Sequence, residues 1–279
     1  MNSVSVIIPC KTAADLCPEL LPALTNQSVK PLEVLIITDK LCPGLPAEKR
    51  DFAAKKSVGS VLTFIDSDAY PDKDWLKNAL THFKNPKISA VCGPGLTPPS
   101  NSVRQKISGL VWSTTIGAGP YTYRNRREKS RLVDDYPSFN LLVKKTYFQA
   151  VNGFNTQFWP GEDTKLCHDL VYKLKKQILY HPNILVFHHR RPVFLPHLQQ
   201  ISRYGFQRGR FVRLFPQTSL RPAYFLPLLL PIIFPFYFLA LFYTALIHHS
   251  LLLASAIFLT HLTYAIFFLK GLVTKVRPL

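Results

Sequence analysis

Residues 61–71 read Val61-Leu62-Thr63-Phe64-Ile65-Asp66-Ser67-Asp68-Ala69-Tyr70-Pro71, and the other motifs of the chain are arranged around them. The first five are aliphatic, β-branched or aromatic, which predicts a strand buried on both faces of a parallel sheet. The strand ends at two carboxylates one residue apart, and Pro71 keeps it from continuing. Open parallel sheets bind ligands at the carboxyl ends of their strands, where these acids are expected.

Asp66 and Asp68 allow two interpretations. Two hard oxygen ligands at such a place suit a Mg²⁺ or Mn²⁺ ion that itself holds phosphates. The alternative is a simple turn, because Asp and Ser are turn formers and a bare Asp-x-Asp pattern has little specificity. The choice therefore depends on whether the chain supplies the other parts of a nucleotide site.

Strands and helices alternate along the first third of the chain. The predicted strands cover residues 4–9, 33–39, 61–65 and 89–93, and the predicted helices cover about 15–26, 47–56 and 75–83. This alternation predicts an α/β fold with a parallel sheet and a crevice of nucleotide size.

The composition limits the partners and the compartment. Lys and Arg outnumber Asp and Glu by 34 to 16, a net charge of +18 that suits polyanionic partners. Nucleic acid is not expected, because no nucleic-acid-binding signature occurs. The five cysteines form no C-x-x-C pair, which indicates a reduced domain without a zinc or disulfide framework. Since the chain runs from Ser3 straight into a strand, no signal peptide is expected.

The last part of the chain is strongly apolar. Residues 224–247 and 251–269 are each long enough to cross a bilayer, and they predict a helical hairpin. Three prolines at intervals of four residues predict a kink in the first helix. Positive charge flanks both helices and is absent from the loop between them, which predicts that both termini are cytoplasmic. The flanking residues are Arg208, Arg210, Arg213, Arg221, Lys270, Lys275 and Arg277.

These patterns predict three regions. Residues 1–205 form a cytoplasmic catalytic domain, residues 206–221 a basic juxtamembrane segment, and residues 222–279 the transmembrane hairpin with a short basic tail. The expected location is a plasma or inner membrane, with the catalytic domain in the cytoplasm.

Four polar stretches follow one another in a specific order. They are Asp39 after the second strand, Lys49-Arg50-Asp51, Asp66-Ser67-Asp68, and Gly161-Glu162-Asp163 at the start of a later helix. Together with the first strand, this order resembles the family-2 glycosyltransferases of the GT-A fold, from Val4 to about Tyr204. The resemblance implies a GT-A-type, Rossmann-like, mixed but mainly parallel sheet flanked by helices.

The resemblance also implies a donor site and a divalent cation, Mg²⁺ or Mn²⁺. The family-2 pattern has Asn where this chain has Asp51, so the role of that residue stays open. The implied assignments are Pro9 and Asp39 beside the nucleoside, Arg50 near the nucleotide, Asp66 on the ribose or sugar, and Asp68 on the metal.

Glu162 and Asp163 resemble the family's Glu-Asp pair that supplies the catalytic base. We expect Asp163 to be the base and Glu162 to position the acceptor or the sugar. An apolar stripe downstream predicts a helix with both acids in its first turn, where the helix dipole favours the ionised form that a base needs. The alternative is that the two acids only complement that dipole.

Two later motifs complete the prediction. A late histidine often completes the metal shell of GT-A enzymes, and either His188 or His189 fits, although a purely structural role is the alternative. Gln200-Ile201-Ser202-Arg203-Tyr204 resembles the Q-x-x-R-W motif of membrane-embedded polysaccharide synthases, with Tyr in place of Trp. By this resemblance Gln200 and Tyr204 contact the acceptor and Arg203 faces the diphosphate. The Tyr and the small anchor argue against a processive synthase.

The predicted activity is inverting transfer of a sugar from a nucleotide-diphosphate donor to a saccharide hydroxyl, free or lipid-linked, in cell-surface polysaccharide or glycolipid synthesis. A hydroxyl needs a base far more than an ionised lipid phosphate does, so a polyprenyl-phosphate acceptor is the alternative. A phosphatase is disfavoured because its D-x-D would follow the first strand. A non-catalytic, membrane-anchored, polyanion-binding scaffold explains the charge but not the carboxylates.

Overall fold

Ten strands of two to six residues build the α/β part of the chain, whose computed structural model describes residues 3–275. The strands are β1 (Val4–Pro9), β2 (Glu33–Ile37), β3 (Val61–Ile65), β4 (Ala69–Pro71), β5 (Ile88–Cys92), β6 (Gly95–Leu96), β7 (Arg131–Val133), β8 (Asn140–Lys144), β9 (Gln177–Tyr180) and β10 (Val186–His188). The α-helices are α1 (Leu20–Thr25), α2 (Pro46–Lys56), α3 (Trp75–His82), α4 (Val103–Ser113), α5 (Thr115–Ala118), α6 (Lys145–Ala150), α7 (Glu162–His168), α8 (Leu195–Leu214), α9 (Pro216–Ser219), α10 (Pro222–Phe225), α11 (Leu230–Ile247) and α12 (Leu251–Val273).

A seven-stranded sheet in the order β2-β1-β3-β8-β5-β9-β7 forms the centre of this part. β1 pairs in parallel with β2 and β3, and β5 pairs in parallel with β9. β8 is antiparallel to both of its neighbours, and β7 is antiparallel to β9. Most strands therefore point the same way, which confirms the predicted mixed, mainly parallel sheet.

β3 is buried along its whole length, as β1 and β5 are. Phe64 packs against the rings of Phe148 and Phe154, with ring centroids 5.4 and 5.0 Å away. Burial on both faces selects the aliphatic and aromatic residues of this strand. The strand thus delivers Asp66 to the carboxyl edge of the sheet, as the sequence predicts.

A second sheet of three short strands, in the order β4-β10-β6, continues from this edge. β10 runs antiparallel to β4, and the register places His188 opposite Ala69. His188 is therefore brought next to Asp68 by strand pairing, although 120 residues separate them in the chain.

The chain forms two compact units, each made of two segments. The first unit holds residues 1–96 and 126–188, and the second holds residues 97–125 and 189–279. The predicted boundary at residue 205 lies inside the second unit, in the middle of α8.

The second unit contains α4, α5 and α8 to α12. Its first apolar stretch is bent by 96° between Pro222–Leu229 and Ile232–Ile247, which confirms the predicted kink. Among the described residues, α12 alone is long and apolar enough to cross a membrane, and the bent pair adds a second candidate only if it is counted as one span. Arg277, predicted to flank the second helix, lies outside the described residues.

Candidate active site

The ends of β1 and β2 bring Pro9 and Asp39 to one edge of the sheet. Pro9 pairs with Ile37, and the backbone N–H of Asp39 donates to the Lys11 carbonyl over 2.9 Å. The Asp39 carboxylate is half exposed and forms a 2.5 Å ion pair with the buried Nζ of Lys49. Asp39 therefore offers an anchored carboxylate at the edge where the nucleoside was predicted.

Arg50 links acids from distant parts of the chain. Its guanidinium lies 2.7 Å from the Asp66 carboxylate and 3.4 Å from that of Glu162, and the side chain is only 5% exposed. The ring of Phe154 lies beneath it, with the guanidinium carbon 5.5 Å from the ring centroid. The buried cation thus neutralises one predicted donor acid and one member of the predicted base pair.

Asp66, Asp68 and His188 form a group of three side chains of types that can ligate a metal. One ligand atom from each lies within 4.8 Å of the others, and His188 Nε2 lies 3.0 Å from Asp68 Oδ1. Two carboxylates and an imidazole are ligand types that can hold Mn²⁺. His189 does not join this group, because its Nδ1 lies 2.5 Å from the Asn101 side-chain amide.

The predicted catalytic acids are in the first turn of α7, as expected. Gly161 precedes the helix with φ of 152°, a backbone conformation that favours glycine. Glu162 is buried and accepts a 2.9 Å hydrogen bond from the Gly161 N–H. Asp163 accepts hydrogen bonds from the backbone N–H groups of Thr164 (2.8 Å) and Ser138 (3.3 Å).

The pKa of Asp163 is shifted in the direction opposite to the sequence-based expectation. Its removal from water, with the charges of Glu162 and Asp135 as smaller contributions, raises the pKa of Asp163 to about 7. The sequence-based expectation, that the helix dipole favours the ionised form, pointed in the opposite direction. A carboxylate with a pKa near neutrality can hold a proton taken from an acceptor and then release it.

Sequence reasoning missed Asp135 and Ser138, which precede β8. Asp135 is buried and accepts a 2.8 Å hydrogen bond from the Thr164 hydroxyl, next to Asp163. The adjacent acids Asp134 and Asp135 were a visible signal, but only the antiparallel insertion of β8 beside β3 brings their loop to α7.

Asp51 has a structural role that the sequence left open. Its Oδ1 accepts a 2.9 Å hydrogen bond from the Phe154 N–H, and a Cβ on Gly153 would lie 2.5 Å from the same oxygen. Burial raises the pKa of Asp51 to about 6. The residue therefore holds the loop that carries Phe154 beneath Arg50. A cavity of about 380 Å³ next to Asp51 is lined by this loop and by Lys165, Asp169 and Lys173, not by the metal-ligating acids.

Gln200, Arg203 and Tyr204 lie on α8 in the second unit, on one face of the helix. The Gln200 side-chain amide donates to the Tyr204 hydroxyl over 3.1 Å. Tyr204 is 44% exposed and meets the Trp112 ring edge-on at 6.4 Å. Their contact with acceptor and diphosphate stays a prediction.

Comparison with known sequences identifies related proteins. The model of glycosyl transferase family group 2 matches residues 61–270. Pre-mycofactocin glycosyltransferase of Mycobacterium tuberculosis is 25% identical over 234 residues, which is 73% of this chain and 46% of the relative. Dolichyl N-acetyl-alpha-D-glucosaminyl phosphate 3-beta-D-2,3-diacetamido-2,3-dideoxy-beta-D-glucuronosyltransferase of Methanococcus voltae is 24% identical over 186 residues, covering 64% of this chain and 56% of the relative. The chain thus spans about half the length of these curated relatives.

Solved structures share the fold. The mannosyltransferase PcManGT from Pyrobaculum calidifontis, in complex with GDP-Man and Mn²⁺, has a TM-score of 0.58 at 16% identity, over 98% of this chain and 87% of its own. GalNAc-T7 with UDP, GalNAc and Mn²⁺ has a TM-score of 0.51 at 14% identity, over 80% of this chain and 52% of its own. At these identities the likeness establishes a fold of the GT-A type, as the sequence predicted.

Proposed function

Because the chain belongs to glycosyl transferase family group 2 and is a glycosyltransferase, we propose that it inverts the anomeric carbon while moving a sugar from a nucleotide-diphosphate donor to a saccharide hydroxyl. The observation that carries this proposal is the arrangement of Asp163, Glu162 and Arg50. One acid has a pKa raised to about 7, and its neighbour lies against a buried cation. A single base of this kind suits a one-step displacement of the nucleotide diphosphate by the acceptor hydroxyl. One displacement inverts the configuration at the anomeric carbon.

The donor lies at the carboxyl edge of the sheet in this proposal. Pro9 and Asp39 border the nucleoside, Asp66 contacts the ribose or sugar, and Asp68 and His188 hold a divalent cation. An ion bound there would neutralise the charge that develops on the departing diphosphate. Both solved complexes that share the fold contain Mn²⁺ and a nucleotide, and the imidazole favours Mn²⁺ over Mg²⁺ here.

Asp163 takes the proton of the acceptor hydroxyl as that oxygen attacks the anomeric carbon. Among the described residues, the Asp163 carboxylate accepts two hydrogen bonds from backbone N–H groups. These bonds orient the carboxylate but, unlike an ion pair, do not neutralise its charge. The charge of Arg50 is shared between Asp66 and Glu162, so Asp163 is the acid of this group that is left to exchange a proton.

The acceptor is a saccharide hydroxyl, free or carried on a lipid, at the cytoplasmic face of a membrane. A hydroxyl has a far higher pKa than a lipid phosphate and therefore gains more from the base. The name of the Methanococcus voltae relative describes a dolichyl-linked sugar acceptor, which supports a lipid-linked saccharide here. Gln200 and Tyr204 are the residues proposed to contact it, with Arg203 facing the diphosphate.

The test compares Asp163→Asn with the parent chain in a panel of nucleotide sugars. We expect donor affinity with Mn²⁺ to stay unchanged while transfer to a lipid-linked saccharide falls by about 10²–10⁴-fold. Asp74→Asn, an exposed acid of the same unit, is the matched control and should keep full activity. Retained transfer to a polyprenyl phosphate by Asp163→Asn would instead identify the lipid phosphate as the acceptor.

A further inference from the structure

α8 and α12 lie side by side and run in the same direction. His197 Nε2 is 2.9 Å from the Thr260 hydroxyl, and the Arg213 guanidinium donates to the Thr274 carbonyl. The sequence offset between contacting residues stays nearly constant, at 63 and 61. α8 therefore follows α12 for about 20 Å, at 1.5 Å of rise per residue.

Glycines let the two backbones touch along this length. A Cβ on Gly209 would lie 2.1 Å from the Phe268 carbonyl oxygen, and one on Gly271 would lie 1.9 Å from that of Phe206. A Cβ on Gly205 would meet the Tyr264 carbonyl at 3.0 Å. Such contact leaves no room for lipid between the helices, so α8 must share the depth of α12 in any membrane.

The outward faces of the two helices differ in polarity. After its first two residues, Leu195 and Pro196, which are also exposed, α8 exposes Gln199, Arg203, Tyr204 and Arg213. α12 exposes a stripe made of Leu262, Ile266, Leu269 and Val273. The pair is therefore amphipathic as a whole, with one polar side and one apolar side.

A transmembrane course of α12 conflicts with this arrangement. Thr260 lies about 13 Å from the start of α12, near the middle of a bilayer that α12 would cross, and His197 lies beside it. The exposed side-chain amide of Gln199, about 3 Å further along α8, would then face hydrocarbon. Polar side chains inside a membrane face protein or water-filled cavities, not lipid.

α4 and α5 lead to the same conclusion. Ile107 and Val111 of α4 share a buried cluster with Leu253 and Ile257 of α12. His261 Nε2 lies 3.2 Å from the carbonyl oxygen of Gly117 in α5, a four-residue helix in an irregular segment. Irregular backbone is excluded from the lipid-exposed hydrocarbon region, whereas it is common at the membrane interface.

The charge of the unit identifies the surface that it meets. Residues 97–125 and 189–279 contain 13 of the 34 Lys and Arg residues of the chain and none of its 16 acids. Such a unit is attracted by an anionic lipid leaflet. Exposed apolar side chains on α11, such as Ile232 and Phe236 at 78% each, supply the inserting face.

We propose that the second unit is monotopic: α8, α11 and α12 lie in the plane of one anionic leaflet and do not cross the membrane. The apolar faces of α11 and α12 enter the acyl region, and the polar face of α8 stays among the headgroups. Both termini remain on the cytoplasmic side, as in the predicted hairpin, but the turn at His248 stays on that side too. The proposal concerns attachment alone, so it holds or fails independently of the transfer reaction.

The test labels introduced thiols with a membrane-impermeant maleimide in spheroplasts, in inside-out vesicles and in detergent. His248→Cys places a thiol in the exposed turn, and Lys275→Cys is the control for the cytoplasmic side. We expect neither variant to react in spheroplasts above the background of the five native cysteines, and both to react in detergent. Labelling of His248→Cys in spheroplasts, with Lys275→Cys unlabelled, would show that the hairpin spans and would overturn the proposal.

A second measurement tests the leaflet charge. The purified full chain should float with vesicles containing phosphatidylglycerol more than with purely zwitterionic vesicles, and less as salt rises. Arg213→Gln with Lys270→Gln, two exposed basic positions of the second unit, should weaken this binding by about 30-fold. Arg127→Gln with Lys129→Gln, two exposed positions of the first unit, should leave it unchanged. Equal binding to both vesicle types would contradict an anionic partner.

Discussion

The two compact units divide the charged residues of the chain unequally. All 16 acids lie in residues 1–96 and 126–188, whereas residues 97–125 and 189–279 carry 13 basic residues and no acid. Carboxylates are needed where a metal is bound and a proton is moved. They are disfavoured where a surface must approach anionic lipid. The charges of the first unit therefore suit metal binding and proton transfer, and those of the second unit suit attachment to an anionic membrane.

Buried polar groups are also held differently in the two units. In the first, Arg50 pairs with Asp66 and Glu162, so charge compensates charge. In the second, His197 lies between the hydroxyls of Ser108 and Thr260, both 2.9 Å away. Burial lowers the pKa of His197 to about 4, so the imidazole is neutral at physiological pH. At His197 the helices of the second unit are joined by neutral hydrogen bonds, which cost less to bury than ions.

The largest effect should come from Asp68→Ala in the first unit. Loss of this carboxylate removes a proposed metal ligand beside His188, and transfer should fall by about 10²–10³-fold. Nucleotide affinity measured by calorimetry should lose its dependence on Mn²⁺, while flotation with anionic vesicles should not change. Unaltered Mn²⁺-dependent binding would remove Asp68 from the metal site.

The pH dependence of transfer should report the titration of Asp163 in the first unit. The pKa of Asp163 is raised to about 7, so the ionised base is lost as pH falls through that value. At saturating donor and Mn²⁺, turnover should drop about tenfold per pH unit below pH 7 and level off above it. The residual rate of Asp163→Asn should lack this slope. A flat profile in the parent chain would place the titrating base elsewhere.

Gly209→Ile should damage the second unit alone. The new side chain would strike the Phe268 backbone and push α8 off α12, at a cost of about 1–3 kcal/mol. Gln199→Ile adds the same side chain at an exposed position of α8 and is the matched control. We expect a lower melting temperature in detergent and weaker vesicle binding, with nucleotide affinity retained. A parallel loss of nucleotide affinity would show that the two units do not act separately.

Asp51→Asn should have the smallest effect of the four, an increase in thermal stability. The pKa of Asp51 is raised to about 6 by burial, so the carboxylate lowers stability as pH rises through that value. Asn still accepts the Phe154 hydrogen bond without a buried charge. The variant should melt about 2–4 °C higher at pH 8 and show no gain at pH 4. Equal shifts at both pH values would rule out the charge as the cause.

Local patterns predicted much of the candidate site. β3 and Asp66 follow from an apolar run that ends in acids, and the position of Glu162 and Asp163 in a first turn follows from a helical stripe. Asp135 was missed because its role depends on β8, which inserts antiparallel between β3 and β5 and leaves no local signal. The contact of His188 with Asp68 likewise depends on strand register, because β10 pairs with β4 and places His188 opposite Ala69, whereas His189 lies beyond the end of β10.

The sequence by itself determined the family, the order of the acidic motifs and the apolarity of the last third. These features are periodic or local, and composition and spacing record them directly. Only the tertiary structure decided that Arg50 joins Asp66 to Glu162, and that burial raises the pKa of Asp163 against the helix dipole. It also decided that α8 runs beside α12, because their close contact depends on Gly209 of α8 and Gly271 of α12, far apart in the sequence, meeting across the helix pair. Hydropathy measures each helix alone, whereas its place in a membrane depends on what packs against it.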